Sequence, residues 1–138
     1  MSNQILINID VPDLKSRISF YAAGLSFVLR RLLFDGSVAE MFSGSARVFL
    51  IQQPSGSTAI PHSSVTRDYA NHWTPVHLDI VVDDLALAIA QAVDAGALPP
   101  TTVTKRDWGE IAPMRDPFGN GFCLIAFRGA GYDSVVAE

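Results

Sequence analysis

Residues 4 to 11, QILINIDV, alternate: Ile5, Ile7, Ile9 and Val11 fall on one side, Leu6, Asn8 and Asp10 on the other. A period of two predicts a half-buried β-strand. Pro12-Asp13 breaks it, and Leu14, Ile18, Tyr21, Ala22 and Leu25 then recur at helical spacing, with Gly24 placed near the end as a stop. Three strand-like runs follow, SFVLRRLLF, SVAEMF and ARVFLIQQ, parted by the turn signals Asp35-Gly36 and Gly44-Ser45. The first half reads strand, helix, strand, strand, strand.

Residues 54 to 71 are rich in Pro, Gly, Ser and Thr, hold no sustained period and read as a long loop. After it the pattern starts again. PVHLDIVVDDL alternates, with Leu78, Ile80 and Val82 on one face and His77, Asp79 and Val81 on the other, and DDLALAIAQAVDAG follows as a second amphipathic helix ending at Gly96. TTVTKRD, WGEIAPMRD and GFCLIAF supply three more strands, the last two joined by a turn at Phe118-Gly119-Asn120. Aligning Asp13-Leu14 with Asp84-Leu85 sets the two modules 71 residues apart, so the chain is an internal duplication. The predicted class is α+β: two tandem βαβββ modules in one domain, with module one over 1–53, a linker over 54–72, module two over 73–128 and a tail over 129–138. Two glycines within Gly129-Ala130-Gly131 cannot sustain a strand, so the tail is expected to be mobile or to dock as a lid through Tyr132.

The duplication also gives each module an inside and an outside. Each helix needs an apolar seat, and the all-apolar faces Ile5/Ile7/Ile9 and Leu78/Ile80/Val82 provide one. The opposite faces, with Asn8 and Asp10 in one module and His77 and Asp79 in the other, are the functional candidates. Cys123, the only cysteine, shares a face with Ile125 and Phe127.

Charged residues make up 17% of the 138 and hydrophobic ones 49%, against a usual charged share of about 25%, and this excess of apolar surface points to a homodimer. A net charge of −4 argues against nucleic acid, because Arg30-Arg31 and Lys105-Arg106 are pairs and not patches. There is no run of about 18 apolar residues for a membrane span, no secretory signal in MSNQ and no second cysteine for a disulfide. A soluble, cytoplasmic protein is expected. G-x-S-x-G, P-loop, G-x-G-x-x-G and C-x-x-C patterns are all missing.

The segments DVPDLKSRISFYAAGLSF, HLDIVVDDLALAIAQAVDAGA, WGEIAPMRDPFGN and GFCLIAF, in this order and spacing over nearly the whole chain, resemble the vicinal oxygen chelate superfamily of glyoxalase I, bleomycin-resistance proteins and extradiol dioxygenases. That resemblance implies curved mixed sheets around a cleft, commonly completed in a homodimer. It also implies metal ligands on the first and last strands of each module, at positions that here hold Leu6, Phe49, His77 and Cys123. Leucine and phenylalanine have no lone pair to give, and two remaining donors fall short of the three or four that zinc takes from protein. No metal and no cofactor are therefore expected.

His77 is either a strand histidine satisfied by its neighbours or a ligand-binding group. Cys123 reads as a small hydrophobe, since a nucleophile would need a lowered pKa and only His77 is placed to supply it. Asp79, about 7 Å along the strand from His77 and on the same face, would orient it or serve as polar wall. Trp108 is placed at the cleft edge, with a core or interface role as the rival reading. The functional expectation is a metal-independent binder of a small amphipathic molecule, of the drug-sequestering type, with Asn8, Asp10, Phe49, His77, Asp79, Trp108 and Cys123 around the ligand. The acidic balance would suit a cationic ligand. The alternative is a lyase, isomerase or dioxygenase with a reduced metal site or His77/Asp79 acid-base chemistry.

Overall fold

The structure, a computed structural model, describes residues 3–137. Tertiary contacts divide the chain into two compact units between Tyr69 and Ala70. In the first, β1 (Ile7–Val11), α1 (Leu14–Leu25), β2 (Val28–Leu33), β3 (Val38–Ser43) and β4 (Ala46–Gln52) form a mixed sheet of order β1-β4-β3-β2, with β1 parallel to β4. In the second, β5 (Leu78–Val81), α2 (Leu85–Asp94), β6 (Thr104–Arg106), β7 (Gly109–Arg115) and β8 (Gly121–Phe127) repeat that order as β5-β8-β7-β6, with β5 parallel to β8. A parallel pair needs a crossover, and the helix supplies it in both units. The class is α+β, with two βαβββ units as the sequence pattern predicts.

The faces follow from register. Ile7 and Ile9 stand opposite Val48 and Leu50, and Met41 and Ala39 continue the same rows. Against β3 and β4 lies α1, which buries Leu14, Phe20, Tyr21 and Leu25. Full burial of a side chain such as Phe20 or Leu50 contributes about 1.5–3 kcal/mol. In the second unit, Leu78 and Ile80 stand opposite Phe122 and Leu124, with Met114 and Ala112 next in line. Asp84 caps α2 by accepting from the Leu87 N–H at 3.1 Å.

Three local features differ from the pattern-based reading. Gly24 does not stop α1. It is buried inside the last turn, and the helix ends at Ser26, which takes the left-handed conformation (φ 61°) so that Leu25 still reaches the core. Strand β1 begins at Ile7, which leaves Leu6 outside it and half exposed. The linker is not structureless: Gly56 N–H and Arg67 N–H donate to Arg67 O and Ser57 O, both at 2.8 Å, and Thr58 bridges Thr66. Arg67 Nε also donates to Asp10 Oδ2 at 2.7 Å, and the Tyr69 hydroxyl donates to Gln53 O at 2.9 Å. In the tail, a 3-10 turn runs over Gly131–Val135, and the Tyr132 ring lies 4.7 Å from Phe127 and 5.2 Å from Trp108.

A tight turn joins β7 to β8. Asp116 is buried at its start and accepts from Phe118 N–H (2.8 Å), Asn120 N–H (3.0 Å) and Asn120 Nδ2 (3.1 Å). That turn sets where Gly121 and Cys123 enter the sheet.

Candidate functional site

Parallel pairing places Asp79 of β5 opposite Cys123 of β8, on the sheet face that alternation assigns to Gly121, Ile125 and Val81 as well. His77 lies just ahead of β5, and its Nε2 comes 3.1 Å from Asp79 Oδ1. One donor atom each from His77, Asp79 and Cys123 lies within 4.8 Å of the others. The second unit thus brings three of the expected site residues together.

Trp73 completes this group, and the sequence reading passed over it. Its ring centroid is 4.8 Å from that of His77. A Cβ at Gly121 would overlap the Trp73 ring, so the indole lies directly on the glycine backbone. His72 N–H donates to Gly119 O at 3.1 Å and fixes the segment that delivers the indole. Trp73 is nonetheless 43% exposed, which leaves ring surface available to a ligand. The signal in the sequence was the pairing of a tryptophan ahead of the strand with a glycine at the start of GFCLIAF, a close approach that no periodicity reveals.

Cys123 is buried, and its thiol is pushed up to about 11, first by burial and then by the Asp79 charge and its hydrogen bond to that carboxylate. A thiol is therefore present at neutral pH, with Asp79 accepting from Cys123 and lying 3.1 Å from His77 Nε2. Alkylation by iodoacetamide in the folded state is expected to be very slow at pH 8 and to rise only as pH climbs toward 11. Fast labelling at pH 8 would show a thiolate instead. Since the folded protein holds this proton from the ordinary value of 9.0 up to about 11 while the unfolded chain releases it, Cys123 makes stability fall as pH rises through that window.

In the first unit, Asn8 and Phe49 are direct register partners on one face, and Asp10 is engaged by Arg67. Trp108 does not join His77. It sits where Gly109 pairs with Phe127, at the end of the β7–β8 ladder opposite Gly121, packed with Phe127 and Tyr132. The ligand set implied by the family resemblance is matched only in part: Leu6 and Phe49 bring no donor, while His77, Asp79 and Cys123 of the second unit bring one each, one fewer than a closed four-coordinate zinc site takes.

Two βαβββ units with a polar cluster on the first and last strands of the second define a protein of the vicinal oxygen chelate class. The chain belongs to the glyoxalase-like domain family, whose family model matches residues 6–125. Among solved structures, the fosfomycin resistance protein FosX from Listeria monocytogenes superposes with TM-score 0.72 at 13% identity, covering 99% of each chain. A glyoxylase/bleomycin resistance protein/dioxygenase domain from Frankia sp. EAN1pec gives 0.66 at 17% identity, again over 99% of each. The hypothetical protein SA1046 from S. aureus gives 0.66 at 19% identity, over 91% of this chain and 98% of that one. At such identities the likeness is one of fold. A comparison with curated protein sequences gave no match.

Proposed function

We propose that this chain is a metal-independent binder of a small amphipathic molecule, stacked on Trp73 with a cationic group toward Asp79. The observation that carries this reading is the exposed indole held on the Gly121 backbone beside an acidic group. An aromatic face and a carboxylate together favour an organic cation, the ring contributing about 0.5–2 kcal/mol. Sequestration asks for no chemistry, which agrees with a protonated Cys123. A cytoplasmic setting belongs to the same reading and is supported by a buried free thiol. No helix among the described residues is long and apolar enough to cross a membrane.

The test is a thermal-shift series with a quaternary-ammonium aromatic dye and, separately, divalent metals. The dye is expected to raise the midpoint and quench indole fluorescence, and Asp79→Asn to weaken it about tenfold. Metal content after purification without an affinity tag is expected well below one per chain. A near-stoichiometric metal that survives dialysis and is lost in His77→Ala would overturn the proposal. A second reading, an enzyme in which His77 acts as base, is favoured by one observation: the Asp79 carboxylate lies 3.1 Å from His77 Nε2.

The proposed assembly is a homodimer. Strand β2 is an edge of its sheet, and its Val28 and Leu32, with Phe34 beyond, are exposed apolar side chains. Sedimentation at micromolar concentration is expected to give twice the chain mass, and monomer alone would remove this claim.

A further inference from the structure

The sequence offers Arg30-Arg31 as an isolated pair, and the first unit turns it into a cluster. Register runs one row across four strands, Asn8, Phe49, Glu40 and Arg31. Arg47 and Phe42 form the next row on the same face. A register shift between Leu29 and Arg31 marks a bulge in β2. Strict alternation would send consecutive arginines to opposite faces, whereas the bulge lets both point the same way. Arg31 Nε donates to Glu40 Oε2, and the Arg30 guanidinium lies 5.7 Å over the Phe42 ring. Arg47 Nη1 comes 3.7 Å from the second oxygen of Glu40.

Glu40 is completely buried, and Arg31, through its hydrogen bond and then its charge, with Arg30 and Arg47 adding to it, holds the carboxyl below the usual range. A single carboxylate cannot neutralise three guanidiniums. Arg31 keeps both Nη groups without a protein acceptor among the described residues. Arg47 has, besides the 3.7 Å charge contact, only a 3.4 Å bond to Gln4, and Arg30 has only an aromatic ring. The side chains of Arg31 and Arg47 are 56% and 39% exposed, so these spare donors face solvent. Charge is divided accordingly along the chain: up to Tyr69 there are six basic and five acidic residues, and from Ala70 on four and nine. The cationic surplus of a net acidic protein is thus concentrated around one buried acid.

We infer that Arg30, Arg31 and Arg47, positioned by Glu40, form a binding site for a small oxyanion carrying two negative charges, of the phosphate kind. Guanidinium forks bind such groups in bidentate fashion, and a doubly charged anion balances the two charges that Glu40 leaves uncompensated. Three arginines suit a small anion and not a polyanion, which would need a longer basic stripe. The site shares no residue with the group around Trp73 and stands or falls without it.

The experiment is a titration of the whole chain with inorganic phosphate at constant ionic strength, chloride being the replaced anion, followed by NMR of the arginine Nε–H groups and of the β2–β4 amides. Saturable shifts centred on Arg31 and Arg47 are expected. Arg31→Met and Arg47→Met are each expected to weaken binding about tenfold or more, and Arg47→Lys by less, since it keeps the charge. Arg47 is exposed and its variants are expected to fold, whereas Arg31→Met strips buried Glu40 of its hydrogen-bond partner, so Arg31→Met and the double variant are made together with Glu40→Gln, with circular dichroism as the check on all of them. Shifts that grow linearly without saturation, or a double Met variant that binds as well as the parent, would overturn the site. Acetate binding as tightly as phosphate would overturn the assignment to a doubly charged anion.

Discussion

Replacing Asp116 with alanine is expected to lower stability by about 3 kcal/mol, seen as a drop of roughly 10 °C in the melting midpoint. One buried carboxylate serves three donors in the β7–β8 turn, two of them backbone N–H groups. Truncation removes three charge-assisted bonds and leaves donors in a place that water reaches poorly, and that desolvation penalty makes the change larger than an average substitution. Asparagine keeps one carbonyl oxygen and is expected to cost about half as much. A melting midpoint within about 1 °C of the parent for Asp116→Ala would show that the turn holds its shape by other means.

The second large effect is expected at Gly121. A methyl group there enters the space of the Trp73 ring, so Gly121→Ala forces the indole away from the sheet. Dye affinity is expected to fall about tenfold to a hundredfold, as for loss of an aromatic anchor, while folding stability changes by less than about 2 kcal/mol because Trp73 is only partly buried. Indole emission is expected to shift to the red. The decisive control is the pair of changes together: once Trp73→Ala has removed the ring, adding Gly121→Ala is expected to cost little more, and full additivity would refute the stacking argument.

The sequence made the repeat legible because each half carries its own alternation and its own Asp-Leu helix start, and these local rules act in the structure as they act in the pattern. The pairing of His77 and Asp79 on one face followed from the period of two, and the opposition of Cys123 to Asp79 is what that face becomes once β5 lies beside β8. Trp73 was illegible for a different reason. Its role depends on a missing side chain at Gly121, which lies 48 residues away in the sequence, so no local window holds both. The arginine cluster escaped in the same way: a bulge undoes the alternation that sequence reading assumes, and Arg47 arrives from another strand. Trp108 shows the reverse case, an aromatic residue whose local setting suggested a cleft edge while its packing partners, Phe127 and Tyr132, draw it to the far end of the ladder.

The hairpin that Arg67 fastens to Asp10 has a consequence for how the chain tolerates insertion and cutting. Thr58 and Thr66 are bridged, and everything from Thr66 to Tyr69 is held to residues of the same unit, so the ends of the intervening tip are fixed in space. Between fixed ends, added length costs only the logarithm of the loop size. Residues 59–65, with Ile60 and Val65 exposed, are thus the natural place for a protease to nick the linker or for a tag to be spliced into it. Two residues further on, at Arg67, the same operation would break an ion pair and two backbone hydrogen bonds at once, so the permissive site has a sharp border.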